Sequence, residues 1–152
     1  YGPRRNLSLR LKTIYTMAFR RMRGAKIPIF VDVLVLSEFI NAYSRIIYND
    51  LPAETKPDDF KSFRQSEYFP PVAEEITKYT RRIVSKTERT ESGLETVDLA
   101  AILNEYATGN FDFNDQILAA LCQTKNLKLV THDRDFAEYK NTILTANPRL
   151  LI

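Results

Sequence analysis

Cysteine and histidine each occur once in the 152 residues, and the first 31 residues contain no acid at all. A lone Cys122 excludes an intrachain disulfide framework and cysteine-based zinc clusters. It sits in an apolar helical run and reads as a buried small hydrophobe, a usage that fits a reducing cytoplasm. His132, the lone histidine, falls in a loop and reads as solvated. No apolar run approaches the roughly 20 residues needed to span a bilayer, so no membrane partner is expected. What is present is ordinary for a soluble globular protein: 44% hydrophobic and 27% charged residues. The length suits one domain with its own core.

The net charge of +3 hides an asymmetry. Arg4, Arg5, Arg10, Lys12, Arg20, Arg21, Arg23 and Lys26 crowd the acid-free start, leaving 14 basic against 19 acidic residues in the remainder. A basic element is thus joined to a mildly acidic body. Phosphate-rich partners suit the first, and divalent cations suit carboxylates in the second. An acid-free, Arg-rich start can also be a transit peptide, but this one runs directly into core-like sequence.

Apolar positions at Leu7, Leu11, Tyr15, Ala18, Phe19 and Met22 predict an amphipathic helix, with the basic residues largely off that stripe and Gly24 as its stop. Ile27–Val31 reads as a buried strand, and Asp32 as the cap of a helix running to about Tyr48. Asp58 and Asp59 open a short helix with Phe60 and Phe63 inward. Pro70-Pro71 reads as a break before a helix from Val72 to Val84. Lys86–Gly93 is the least ordered stretch by composition, and Leu94–Val97 reads as a brief strand. Helices over Asp98–Tyr106 and Asp112–Thr124 follow, then strands at Leu127–Val130 and Thr142–Thr145, with Phe136–Tyr139 packed beneath. Helices alternating with short apolar strands predict an α/β fold: a three-layer α/β/α sandwich with a mainly parallel central sheet.

Pockets of open α/β sheets lie beyond the carboxyl ends of the strands. Asp133 follows the strand ending at Val130. Asp115 lies in the first turn of the preceding helix, with Asp112 three residues earlier. Glu38 lies in the second turn of the helix leaving the Ile27–Val31 strand. Carboxylates brought together repel unless a cation sits between them. Mg²⁺ or Mn²⁺ is the natural occupant where hard oxygen ligands abound and nitrogen and sulfur are scarce. Each acid also has a structural alternative. Asp112 and Asp115 can serve a helix N-terminus. Asp133 can be a turn residue, with Asp135 reading as the cap. Glu38 can pair along its helix with Arg45 or Asn41. Thr131 can orient a ligand or water, or simply end a strand.

Phe113-Asn114-Asp115-Gln116-Ile117-Leu118-Ala119-Ala120, followed by Leu129-Val130-Thr131-His132-Asp133-Arg134-Asp135-Phe136, resembles the C-terminal signature of PIN-domain nucleases. Ile29 to Asn41, with Glu38, resembles that family's second strand and Glu-bearing helix. The resemblance spans nearly the whole chain, 1–152, read as a single PIN-like domain. It implies a Mg²⁺- or Mn²⁺-dependent ribonuclease, similar to VapC-type toxins held inactive by an antitoxin protein. Glu38, Asp115 and Asp133 carry over as acidic metal-site residues, Thr131 as the hydroxyl before the last acid, and Asp112 as a supporting acid. The resemblance also implies a homodimer and a product bearing a 5′-phosphate.

One departure stands out. The family opens with a central strand ending in Asp, and none precedes Tyr1-Gly2-Pro3. Removing a central strand would expose two unpaired edges, so the sequence is expected to lack that first strand. An alternative register takes Asp32 as the first acid, but Glu74-Glu75 then lack a preceding strand.

The expected activity is therefore metal-dependent hydrolysis of RNA by a toxin ribonuclease, with Arg10, Arg20, Arg21 and Arg23 holding the RNA backbone or an antitoxin. The alternative is a non-catalytic PIN-like module that binds RNA or protein. A structure-specific DNA nuclease is a third reading, disfavoured by the absence of a helical DNA-clamp region.

Overall fold

The computed structural model describes residues 3–151, with side chains from Arg10 onward. Tyr1 and Gly2, on which the reading of a missing strand partly rests, lie outside the described residues, as does the side chain of Leu7. The chain forms two compact units, 1–28 with 92–152 and 29–91.

In the first unit, helix α1 spans Pro3–Gly24. Leu11, Tyr15, Ala18, Phe19 and Met22 are half-buried, while Arg10, Lys12, Arg20, Arg21 and Arg23 are exposed, as the sequence stripe requires. Helix α5 (Leu99–Tyr106) starts at Asp98, whose carboxylate accepts from the backbone N–H of Ala101. Helix α6 (Phe113–Thr124) packs on α5 and carries most of the core: Ile117, Leu118, Ala119, Leu121 and Cys122, joined by Ile102 and Phe136. Cys122 is a buried thiol whose pKa burial pushes up. Strands β3 (Leu129–Val130) and β4 (Ile143–Leu144) run parallel in register, Leu129 opposite Ile143.

In the second unit, β1 (Phe30–Val31) leads into helix α2 (Val33–Asp50), then α3 (Phe60–Gln65) and α4 (Phe69–Val84). Asp32 and Asp59 cap α2 and α3 by accepting from Leu34 N and Ser62 N, both at 2.7 Å. Phe63 is fully buried, ringed by Tyr48, Phe60 and Phe69 at centroid distances of 5.4–6.1 Å. Aromatic clustering of this kind adds about 0.5–1.5 kcal/mol per pair beyond area burial.

Three local expectations are corrected. Pro70-Pro71 does not break the chain: the prolines lie in the first turn of α4, where a missing N–H removes no helical hydrogen bond. Lys86–Gly93 is not without regular structure. It contains strand β2 (Glu88–Arg89), paired parallel with β1 through Glu88 N to Ile29 O and Thr90 N to Val31 O. Main-chain pairing here overrides polar composition. Leu94–Val97 is a turn, not a strand, closed by Thr96 N to Gly93 O at 2.7 Å. Gly93 has φ +68°, and a Cβ there would meet Thr96 Oγ1 at 3.1 Å. Among the described residues the strands form two separate two-stranded parallel ladders, β1–β2 and β3–β4. The class is α/β with parallel strands, as expected.

Candidate active site

The exits of β3 and β4 are built alike. After β3, the N–H of Asp133 donates to Thr131 Oγ1 and that of Asp135 to Asp133 Oδ1, both at 3.0 Å. After β4, the N–H of Asn147 donates to Thr145 Oγ1 at 3.0 Å and that of Arg149 to Asn147 Oδ1 at 3.1 Å. Thr-x-Asx twice closes a hydroxyl turn, then caps a 3₁₀ turn: Arg134–Glu138 and Pro148–Leu150 respectively. Asp135 and Arg149 therefore hold equivalent positions.

Tyr15 of α1 locks the two exits together. Its hydroxyl donates to Thr131 O at 3.1 Å and accepts from Ala146 N at 3.0 Å, with His132 Nδ1 also at 3.1 Å. Asn147 Nδ2 donates across to His132 O at 2.8 Å. The bonds to Thr131 O and His132 O pin main chain just before Asp133, and the bond from Ala146 N pins the exit of β4.

Next to these turns lies a hollow of about 470 Å³, lined by Asp112, Asp115, Asp135 and Glu138 together with Arg134 and Arg149. Asp112 is the N-cap of α6, its Oδ1 accepting from Asn114 N at 2.8 Å and Asp115 N at 3.3 Å. Asp115 follows in the first turn, half-buried. Phe111 and Tyr139 also line it, ring centroids 5.8 Å apart. Burial pushes the Tyr139 phenol up to about 12, and the charges of Asp115, Asp112, Glu105 and Asp135 add to the push. Those four carboxylates therefore bear on one phenol. Gln116, buried in α6, donates through its amide to Ile102 O and Glu105 Oε2, each at 3.1 Å, fixing Glu105 against α6.

The sequence-derived residues divide as follows. Asp112 and Asp115 share the hollow. Asp133 caps the 3₁₀ turn, the role the sequence had given to Asp135, and Asp135 lines the hollow. Thr131 fixes the Asp133 N–H. Glu38 is exposed on α2 in the second unit. Asn41 donates to Ser37 Oγ and Arg45 lies over the Phe60 ring at 4.6 Å. Sequence reasoning missed Tyr15, Glu105, Tyr139, Asn147 and Arg149. The repeated Thr-x-Asx after each strand was the available signal for Asn147 and Arg149. A tyrosine on an apolar stripe gives none.

The donor set is all carboxylate, which by chemistry fits a hard dication. Among the described residues, however, no three acidic, histidine or cysteine side chains are assembled closely enough to hold one. No described helix is long and apolar enough to cross a membrane.

The PIN domain family model matches residues 9–141. The chain belongs to the PIN domain family. PIN domains are generally nucleases that use divalent metal ions and commonly bind RNA. The match takes in most of α1 with Tyr15, the start of α6 with Asp112 and Asp115, and the β3 turn with Asp133 and Asp135, while β4 and its turn lie beyond it. No curated protein and no solved structure matches this PIN domain.

Proposed function

We propose that this PIN domain is a Mg²⁺- or Mn²⁺-dependent endoribonuclease, the toxin of a toxin–antitoxin pair acting in the cytoplasm as a homodimer. The observation that carries the nuclease reading is the shared hollow of Asp112 and Asp115, whose charges bear on Tyr139 with those of Asp135 and Glu105. Such a concentration of negative charge favours a cation. Asp112 and Asp115 would hold it, and Asp133 and Glu38 are assigned to the same chemistry through the family resemblance alone. A bound dication would supply an activated water and neutralise charge on the phosphate, leaving a 5′-phosphate product. Thr131 acts by fixing the turn that carries Asp133. The exposed Arg10, Arg20, Arg21 and Arg23 of α1 suit an RNA backbone or an acidic antitoxin surface. The same reading takes the chain as one domain, a three-layer α/β/α sandwich.

Incubation of the purified protein with single-stranded RNA and Mn²⁺ tests this. Cleavage is expected, abolished by EDTA and by Asp115→Asn, and reduced by Glu38→Gln. RNA left intact by a folded protein would overturn it. The second reading, a module that binds RNA without cutting, is favoured by the capping roles of Asp112 and Asp133 and by the absence of an assembled acidic triad among the described residues. Tight RNA binding without cleavage would establish it.

A further inference from the structure

A second hollow, of about 480 Å³, adjoins the first and shares Phe111, Glu138 and Tyr139 with it. Its remaining wall differs in character. Val97, Ile102 and Ala119 give it an apolar floor, Gln123 and Lys140 bring amide and ammonium donors, and Asp98 and Glu105 add acids to its wall. The first hollow thus carries two guanidinium groups among its acids and the second an apolar floor, with the Phe111–Tyr139 pair common to both. The rings are inclined at 59°, and both are only partly buried. In the first hollow, Arg134 is engaged by Asp135 at 3.5 Å. Arg149 has no ion-pair partner among the described residues, and its backbone is held by Asn147 through the β4 turn.

We propose that these two hollows form a nucleotide subsite for single-stranded RNA, in which Arg149 grips a phosphate and an unstacked base lies against Phe111 and Tyr139 in the second hollow. The chemistry of each half matches one half of a nucleotide. A guanidinium forks onto phosphate oxygens. Unstacked bases of single strands are taken up on aromatic rings and hydrogen-bonded at their edges by amides and amines. Duplexes do not offer such bases, so the subsite restricts this protein to single strands. The proposal rests on the ribonuclease reading above for the identity of the ligand, but it concerns binding and not cleavage.

Fluorescence anisotropy with a labelled oligouridylate, and with a ribose-phosphate oligomer of equal length lacking bases, tests it in the Asp115→Asn background. The base-bearing oligomer should bind roughly five- to thirty-fold more tightly. Phe111→Leu should erase that difference while leaving binding of the baseless oligomer unchanged. Arg149→Gln should keep the difference but flatten the dependence of log affinity on log salt by about 0.7, the signature of one lost phosphate contact. Equal binding of the two oligomers, discrimination that survives Phe111→Leu, or an unchanged salt slope in Arg149→Gln would overturn the proposal. The two readings fail separately. A protein that cuts RNA but ignores the bases loses the subsite alone, and one that discriminates bases without cutting loses the nuclease assignment alone.

Discussion

The hydroxyl of Tyr15 lies 3.1 Å from the carbonyl oxygen of Thr131, a residue 116 positions away in sequence. The same hydroxyl accepts from Ala146 N, so one phenol joins α1 to the exits of both β3 and β4. Tyr15→Phe keeps the ring and removes only that junction. It leaves a part-buried N–H and a part-buried carbonyl without their partner, which costs about 1–3 kcal/mol. Urea denaturation of the two proteins measures the loss. A difference below about 0.5 kcal/mol would mean that solvent replaces the phenol at no cost.

Much of this was legible before any coordinates. Helix limits followed from local chemistry: Asp32, Asp59, Asp98 and Asp112 each cap the helix that follows them, because a short carboxylate satisfies exposed N–H groups wherever an apolar period begins. The acids after the strands were equally visible as residues. Their division of labour was not. Whether Asp133 or Asp135 caps the turn depends on which carboxylate reaches the N–H two residues on, and sequence spacing allows both. β2 was hidden for a different reason. Glu88 and Arg89 have no strand propensity and pair only because the edge of β1 is there to receive them. Tyr15 was hidden because its apolar ring fills the helix stripe and its hydroxyl serves residues far along the chain.

Asp112 has two assignments that one pair of substitutions separates. Its Oδ1 caps α6 through two N–H groups, and its carboxylate charge is part of the proposed cation site. Asparagine caps about as well as aspartate, while alanine forfeits about 1 kcal/mol. Asp112→Asn should therefore melt like the parent but bind Mn²⁺ roughly 10- to 100-fold more weakly. Asp112→Ala should lose both stability and metal affinity. Unchanged Mn²⁺ binding in Asp112→Asn would reduce this residue to a cap.

Asp32 is a buried acid with only half its carboxylate employed. It is 3% exposed, its Oδ1 accepts from Leu34 N, and its Oδ2 is buried with no hydrogen-bond partner among the described residues. A serine would cap α2 equally well without an orphaned oxygen. Leaving a buried acceptor unsatisfied costs about 1–3 kcal/mol, so Asp32→Ser should be at least as stable as the parent in chemical denaturation. A clear loss of stability would show that the second oxygen has a partner in solution.

Tyr139 gives the protein an alkaline limit whose sign is fixed by its surroundings. Burial first, then the neighbouring carboxylates, hold its pKa at about 12 against an ordinary 10.0. Below pH 10 the phenol is protonated in the folded and unfolded chains alike, and its contribution to stability is intact. Between 10 and 12 the unfolded chain loses the proton while the folded chain must keep it, so stability drains away as pH rises through that window. Tyr139→Phe has no proton to lose. Its stability should fall less steeply than the parent's over the same range, and the phenolate absorbance of the parent should show one group, missing in the variant, titrating after the other tyrosines. Superimposable stability profiles for the two proteins would mean that burial and the four carboxylates together do not hold the proton on this ring.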